Sequence, residues 1–187
     1  MYGLQDAVPA QDMLGVYPRV RLAGPRDGAD IYELCCELHK ENGLFPMNRL
    51  KVEETIKQAT DRKGAFMGLI GAPGALEGMI YLLISQLWYT DSLHLEEIFN
   101  FVRPEYRKGT TNARALISFA KKCADEAPLP LVIGVISSQQ TEAKIRLYRK
   151  FLGLPMGAFF VYGEHVAIKP VSPTAWVTQK RWRSRGK

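Results

Sequence analysis

Residues 95–113 read LEEIFNFVRPEYRKGTTNA, and the reading of this stretch organises the rest of the chain. Leu95–Val102 reads, with His94, as a β-strand. Pro104 ends it, because proline cannot donate into a central ladder. Arg103, Arg107 and Lys108 then set three cations in a short loop around Gly109. From Asn112 onward, Ala113, Leu116, Ile117, Ala120 and Ala124 recur at three- and four-residue steps, the period of an amphipathic helix. The loop therefore opens a helix, where unpaired backbone N–H groups and the positive end of the helix dipole favour an anion.

Upstream, residues 1–18 show little periodicity and read as an arm. Arg19-Val20-Arg21-Leu22 alternates basic with apolar residues, as a half-buried strand does. Gly24-Pro25-Arg26-Asp27 turns the chain into a helix whose stripe is Ile31, Leu34, Cys35 and Leu38. Asn42-Gly43 is expected to close that helix with a left-handed cap. A shorter helix covers Val52–Ala59. Two strands, Ala65–Ala72 and Leu76–Leu87, flank a Pro73-Gly74 turn, and the unbroken apolar run Met79–Ile84 predicts burial on both faces. Downstream, Pro128 and Pro130 break the helix, and Leu131–Ile136 reads as a short strand. Thr141–Leu152 is a helix with Leu147, Tyr148, Phe151 and Leu152 facing inward. Ala158–Tyr162 and His165–Lys169 flank Gly163-Glu164 as a hairpin. The order predicts an α/β domain over residues 19–170, with a mixed sheet and helices on both faces.

The length of 187 residues suits one domain. With 47% hydrophobic and 24% charged residues, the chain has the makings of a packed core and is not a disordered polypeptide. Three cysteines, two of them adjacent (Cys35 and Cys36, with Cys123), do not form a disulfide framework and read as small apolar residues in a reducing compartment. The histidines have no ligand-like spacing, so no metal is expected. The first residues lack a basic region followed by an apolar one. Met79–Ile84 is far short of the ~20 apolar residues of a membrane span. A soluble, cytoplasmic protein with no membrane partner is expected. The net charge of +6 is unevenly placed, since Lys180, Arg181, Arg183, Arg185 and Lys187 crowd the last eight residues. The tail 171–187 is either a solvated end or a contact for nucleic acid or an acidic partner.

Val102, Pro104, Arg107 and Gly109, in their strand–loop–helix setting, resemble the phosphate-binding segment of the GNAT superfamily of N-acetyltransferases. The order of elements over residues 19–169 is similar to that family throughout. The resemblance implies a mixed, largely antiparallel central sheet, acetyl-CoA as cofactor, and transfer of its acetyl group to an amine. Phe101, Val102, Arg103, Arg107, Lys108, Gly109, Thr110, Thr111, Asn112 and Ala113 are the implied cofactor contacts. The loop departs from the family in one respect: its glycine comes a residue early, so Thr110 and Asn112 stand where two small residues usually do. Asn112 tolerates left-handed φ and is expected to substitute on that ground. This glycine-poor loop is similar to members encoded by bacteriophages and prophages.

The implied chemistry needs a base for the amine and an acid for the departing thiolate. Counting back from Arg107, Glu96 matches the family's glutamate, with Glu97 in reserve because a β-bulge would exchange the faces the two residues serve. Tyr148 matches the family's tyrosine, and its ordinary pKa near 10 suits an acid; otherwise it is a core residue with its hydroxyl at the surface. The pantetheine arm is expected between two splayed strands, with Ile98, Phe99, Asn100 and Phe101 on one side and Ile133–Ile136 on the other. The acceptor is not legible: a small molecule, a protein N-terminus or a lysine all suit the chemistry. Two other readings keep the fold: a nucleic-acid-directed protein using the tail with Trp176 and Trp182, and a non-catalytic protein binding a host partner. Exposed strands in this fold also leave a homodimer open.

Overall fold

The computed structural model describes residues 20–157 apart from 136, 138 and 139. The arm, the hairpin expected after residue 157 and the basic tail lie outside the described residues. Among the described residues, five strands, β1 (Arg21–Leu22), β2 (Ala65–Ala72), β3 (Ala75–Gln86), β4 (Leu93–Val102) and β5 (Leu131–Ile133), form one sheet in sequential order. β1 to β4 run antiparallel, and β5 lies parallel to β4. Helices α1 (Gly28–Asn42) and α2 (Arg49–Thr60) precede β2, α3 (Asn112–Glu126) joins β4 to β5, and α4 (Thr141–Leu152) follows β5.

The sheet separates two apolar clusters. On one face Met67, Leu69, Met79 and Tyr81 meet Ile31 and Leu34 of α1 and Ile56 of α2. On the other, Phe66, Ile80, Leu82 and Leu95 meet Leu116, Phe119, Ala120 and Cys123 of α3. Adjacent residues of β3 thus enter opposite clusters, which is why Met79–Leu82 is apolar without alternation. Fully burying such a side chain contributes about 2 kcal/mol relative to leaving it exposed. Cys35 and Cys123 are buried members of these clusters, and all three cysteines are free thiols.

Local polar contacts set where the helices begin. Asp27, at the N-cap of α1, accepts from the Gly24 N–H at 2.8 Å and from Arg21 at 2.9 and 2.7 Å. The Arg21 bond, foremost, holds the Asp27 carboxyl below the usual carboxylate range. Asn48 caps α2 by accepting from the Lys51 N–H at 3.2 Å. The end of α1 differs from the expected left-handed cap. Gly43 has φ −67°, and its N–H closes the helix on the His39 carbonyl at 2.7 Å. Glycine is needed there for room: a Cβ would fall 2.5 Å from the His39 ring and from its carbonyl oxygen. Leu152, expected inward, is 41% exposed at the end of α4.

One irregularity matters for the site. The β3–β4 register shifts between Tyr81 and Leu82, which oppose Phe99 and Glu97, so Ile98 is an extra, bulged residue of β4. The bulge reverses the faces of the strand. Leu95 lies in the α3-side cluster, while Phe101, also odd-numbered, lies in the α1-side cluster. Among the described residues, pairing with β5 stops at Glu97↔Ile133, although β4 continues to Val102. The two parallel strands part at the bulge.

Candidate active site

The bulge decides which glutamate faces α4. Glu97 shares the face of Leu95, is 4% exposed, and meets Tyr148 from α4. The Tyr148 hydroxyl stands 2.9 and 2.8 Å from the two carboxylate oxygens and donates its proton to them. Glu96 points the other way, its side chain 38% exposed and 3.9 Å from the His94 ring. Sequence counting put Glu96 first. The structure joins Glu97 to Tyr148 instead, because the extra residue Ile98 follows directly after Glu97.

The surroundings of this pair are low in water. Burial pushes the Glu97 carboxyl up to about 7, partly offset by the Tyr148 hydrogen bond and the Lys144 charge. The Tyr148 hydroxyl is held far above its ordinary value, first by burial and then by the Glu97 charge. Near neutral pH the pair therefore combines a half-ionised carboxyl with a fully protonated phenol. A base poised near the working pH and an acid joined to it by a hydrogen bond are the two components acyl transfer to an amine requires.

A cavity of about 200 Å³ adjoins the pair, lined among others by Glu41, Asn100, Val102, Arg107, Lys144 and Tyr148. It lies along β4 beyond the bulge, where the strand's outer edge lacks a β5 partner. Lys144 Nζ crosses to that edge and donates to the Asn100 carbonyl at 3.4 Å. Burial lowers the Lys144 pKa, while Glu97 and Glu41 act to raise it. Asn100 was expected beside the pantetheine arm, whereas Glu41 and Lys144 were not recognised from the sequence. Lys144 left a signal, since it stands four residues before Tyr148 and shares its helix face. Glu41 left none, being far from the other members in the chain.

The basic loop is more self-engaged than its composition implies. Arg107 Nε donates to the Val102 carbonyl at 2.7 Å, its guanidinium pairs with Glu41 at 2.6 Å, and it lies over the Phe101 ring. Arg103 pairs with Glu37 at 3.0 Å. Glu37 and Glu41, one turn apart on α1, thus clamp the loop that leaves β4. Lys108, Gly109, Thr110 and Thr111 are exposed beside the start of α3. Gly109 has φ +69°, the left-handed conformation the loop needs, and nothing within 4 Å would oppose a Cβ. The expectation that Asn112 takes this conformation is corrected. Asn112 is the first residue of α3, is 3% exposed, and donates to Glu77 of β3 at 2.7 Å, pinning the helix start to the sheet. Thr111 at the N-cap provides no side-chain cap. The Asn112 N–H donates to the Thr110 hydroxyl at 3.4 Å, and the following N–H groups of the first turn, which have no carbonyl partner within the helix, begin at Ala113 of the cavity wall.

Among the described residues, no group of three His, Cys, Asp or Glu side chains is placed to hold a metal ion. No helix among them is long and apolar enough to cross a membrane.

No family model matches the chain, and no curated protein matches it in sequence. Its fold does match solved structures. A ribosomal-protein-alanine N-acetyltransferase from Brucella melitensis biovar Abortus 2308 superimposes with TM-score 0.57 at 18% identity, covering 78% of this chain and 97% of that one. AAC(6')-Iy, in complex with the bisubstrate analog CoA-S-monomethyl-acetylneamine, gives 0.60 at 12% identity over 78% and 96%. A predicted acetyltransferase with acetyl-CoA from Clostridium acetobutylicum gives 0.60 at 9% identity over 77% and 94%. Identities this low establish a common fold, and the chemistry has to be argued from the site.

Proposed function

We propose that this chain, which has the GNAT acetyltransferase fold, is an N-acetyltransferase that moves an acetyl group from acetyl-CoA to an amine. The observation that carries the reading is the Tyr148 hydroxyl bonded to both oxygens of the buried Glu97, where β4 and β5 part.

The residues present suit the donor. The unpaired edge Ile98–Val102 offers amide and carbonyl groups to an extended arm, as another strand would. The start of α3 offers N–H groups and a positive dipole end to a pyrophosphate, with Lys108 adding charge and Gly109 shaping the turn. Phe101, Val102, Thr110, Thr111, Asn112 and Ala113 complete the proposed contacts. Arg107 and Arg103 contribute chiefly by holding the loop against α1, since their guanidinium groups are engaged with Glu41 and Glu37. When bound, acetyl-CoA supplies an acetyl group activated as a thioester.

The protein's part is to move protons and to keep water out. After the acceptor ammonium has released one proton to solvent, Glu97, in its ionised form, takes the second proton that the nitrogen loses as it becomes an amide. Tyr148 gives its hydroxyl proton to the departing thiolate and recovers one from Glu97 through the bond that joins them. Tyr148 is fully protonated at neutral pH, so it enters the step as a donor and not as a base.

Thiol release from acetyl-CoA in the presence of a panel of small amines and peptides, together with calorimetric titration of acetyl-CoA, tests this reading. Tyr148→Phe and Glu97→Gln should each lower kcat by about a hundredfold or more, and Glu96→Gln should leave it near the parent value. Absence of acetyl-CoA binding would remove the reading. It would favour a non-catalytic partner-binding role.

A further inference from the structure

The cavity beside Tyr148 already holds an amine of the protein's own. Lys144 lies one helical turn before Tyr148, so the two side chains leave the same face of α4. Lys144 is the only amine among the described residues that line this cavity. Its Nζ reaches the unpaired edge of β4 at the Asn100 carbonyl, 3.4 Å away. The charged groups that face it come from three elements: Glu97 of β4 and Glu41 of α1 attract it, and Arg107 of the loop repels it. A primary ammonium that shares a cavity with Glu41 and with a tyrosine bonded to Glu97 has the surroundings an acceptor amine needs.

We propose that Lys144 is an intramolecular acceptor, which the chain acetylates from acetyl-CoA. The inference rests on the acetyl-transfer reading above and goes beyond it by assigning a modification site. Lys144 first releases one ammonium proton to solvent. The free amine attacks the thioester carbonyl carbon, so that an N–C bond forms and the C–S bond breaks. The thiolate leaves with the Tyr148 proton, and the second proton lost by the nitrogen replaces it through Glu97. The products are one amide on Lys144 and free coenzyme A thiol. Burial assists, because it lowers the Lys144 pKa and enlarges the free-amine fraction relative to a surface lysine. The modification removes the cation that faces Glu97 and Glu41, and leaves a neutral side chain along the edge meant for the donor. Self-acetylation would thus slow transfer to outside amines.

The test uses the full chain incubated with acetyl-CoA at mildly alkaline pH and followed by intact mass and peptide mapping. One acetyl group is expected on Lys144, well before any appears on exposed lysines such as Lys51 and Lys63. Tyr148→Phe should slow labelling of Lys144 by about a hundredfold and leave the exposed lysines unaffected, a selectivity that a merely structural effect would not produce. Lys144→Arg should lose the early acetyl group. Labelling of Lys144 that is no faster than at exposed lysines, or indifferent to Tyr148→Phe, overturns the inference. Acetyl-CoA binding and thiol release with added amines are measured on the same sample. If both persist while Lys144 stays unmodified, self-acetylation alone is overturned; if neither occurs, the acetyl-transfer reading falls with it.

Discussion

Glu97→Gln removes a carboxyl whose ordinary value of 4.5 is pushed up to about 7 by burial. Between those two values the folded chain holds a proton that the unfolded chain has released. Glu97 therefore supports folding fully below its unfolded value. That support is lost as pH rises through about 7, when the folded state must carry a buried carboxylate. The interval from 4.5 to about 7 converts to about 3 kcal/mol. At 4% exposure, solvent screens little of this. Glutamine keeps an acceptor for the Tyr148 hydroxyl and does not titrate. The stability difference between variant and parent should therefore move in the variant's favour by about 3 kcal/mol between about pH 5 and about pH 8.5. Urea unfolding of both proteins across that range, analysed by linear extrapolation, measures it. A difference that stays constant with pH would refute the buried-carboxylate account, and with it the assignment of Glu97 as a base poised near neutrality.

Two further substitutions probe the loop. Gly109→Ala puts a Cβ on a residue at φ +69°, where space is open, so the cost is backbone strain of about 1 kcal/mol, read as a lowered urea midpoint; an unchanged midpoint would mean the loop relaxes freely. Arg107→Ala removes the bonds to the Val102 carbonyl and the Glu41 carboxylate, and should cost about 2 kcal/mol of stability even without acetyl-CoA. A loss seen only in acetyl-CoA affinity would instead make Arg107 a phosphate ligand first.

Periodicity and turn residues alone determined most of the elements: the helices at Gly28–Asn42, Asn112–Glu126 and Thr141–Leu152, and the strands through Val102, arise from local patterns that a reader of the chain can count. The basic loop after Pro104 was legible on the same footing, whereas Tyr148 stood out as a site residue through the family resemblance. What the chain did not disclose depends on contacts between distant segments. Nothing local to residues 96–98 says that β3 skips Ile98, yet that one residue of slippage carries Glu97 to Tyr148 and turns Glu96 away. The partners of Arg103 and Arg107 are acids on α1, and the charge of Lys144 faces a carboxylate on β4 and another on α1. A count along the sequence treats each such cation as free for a ligand. Tertiary structure decides otherwise, because ion pairing and desolvation are set by distance in space, and their strength rises where water is excluded.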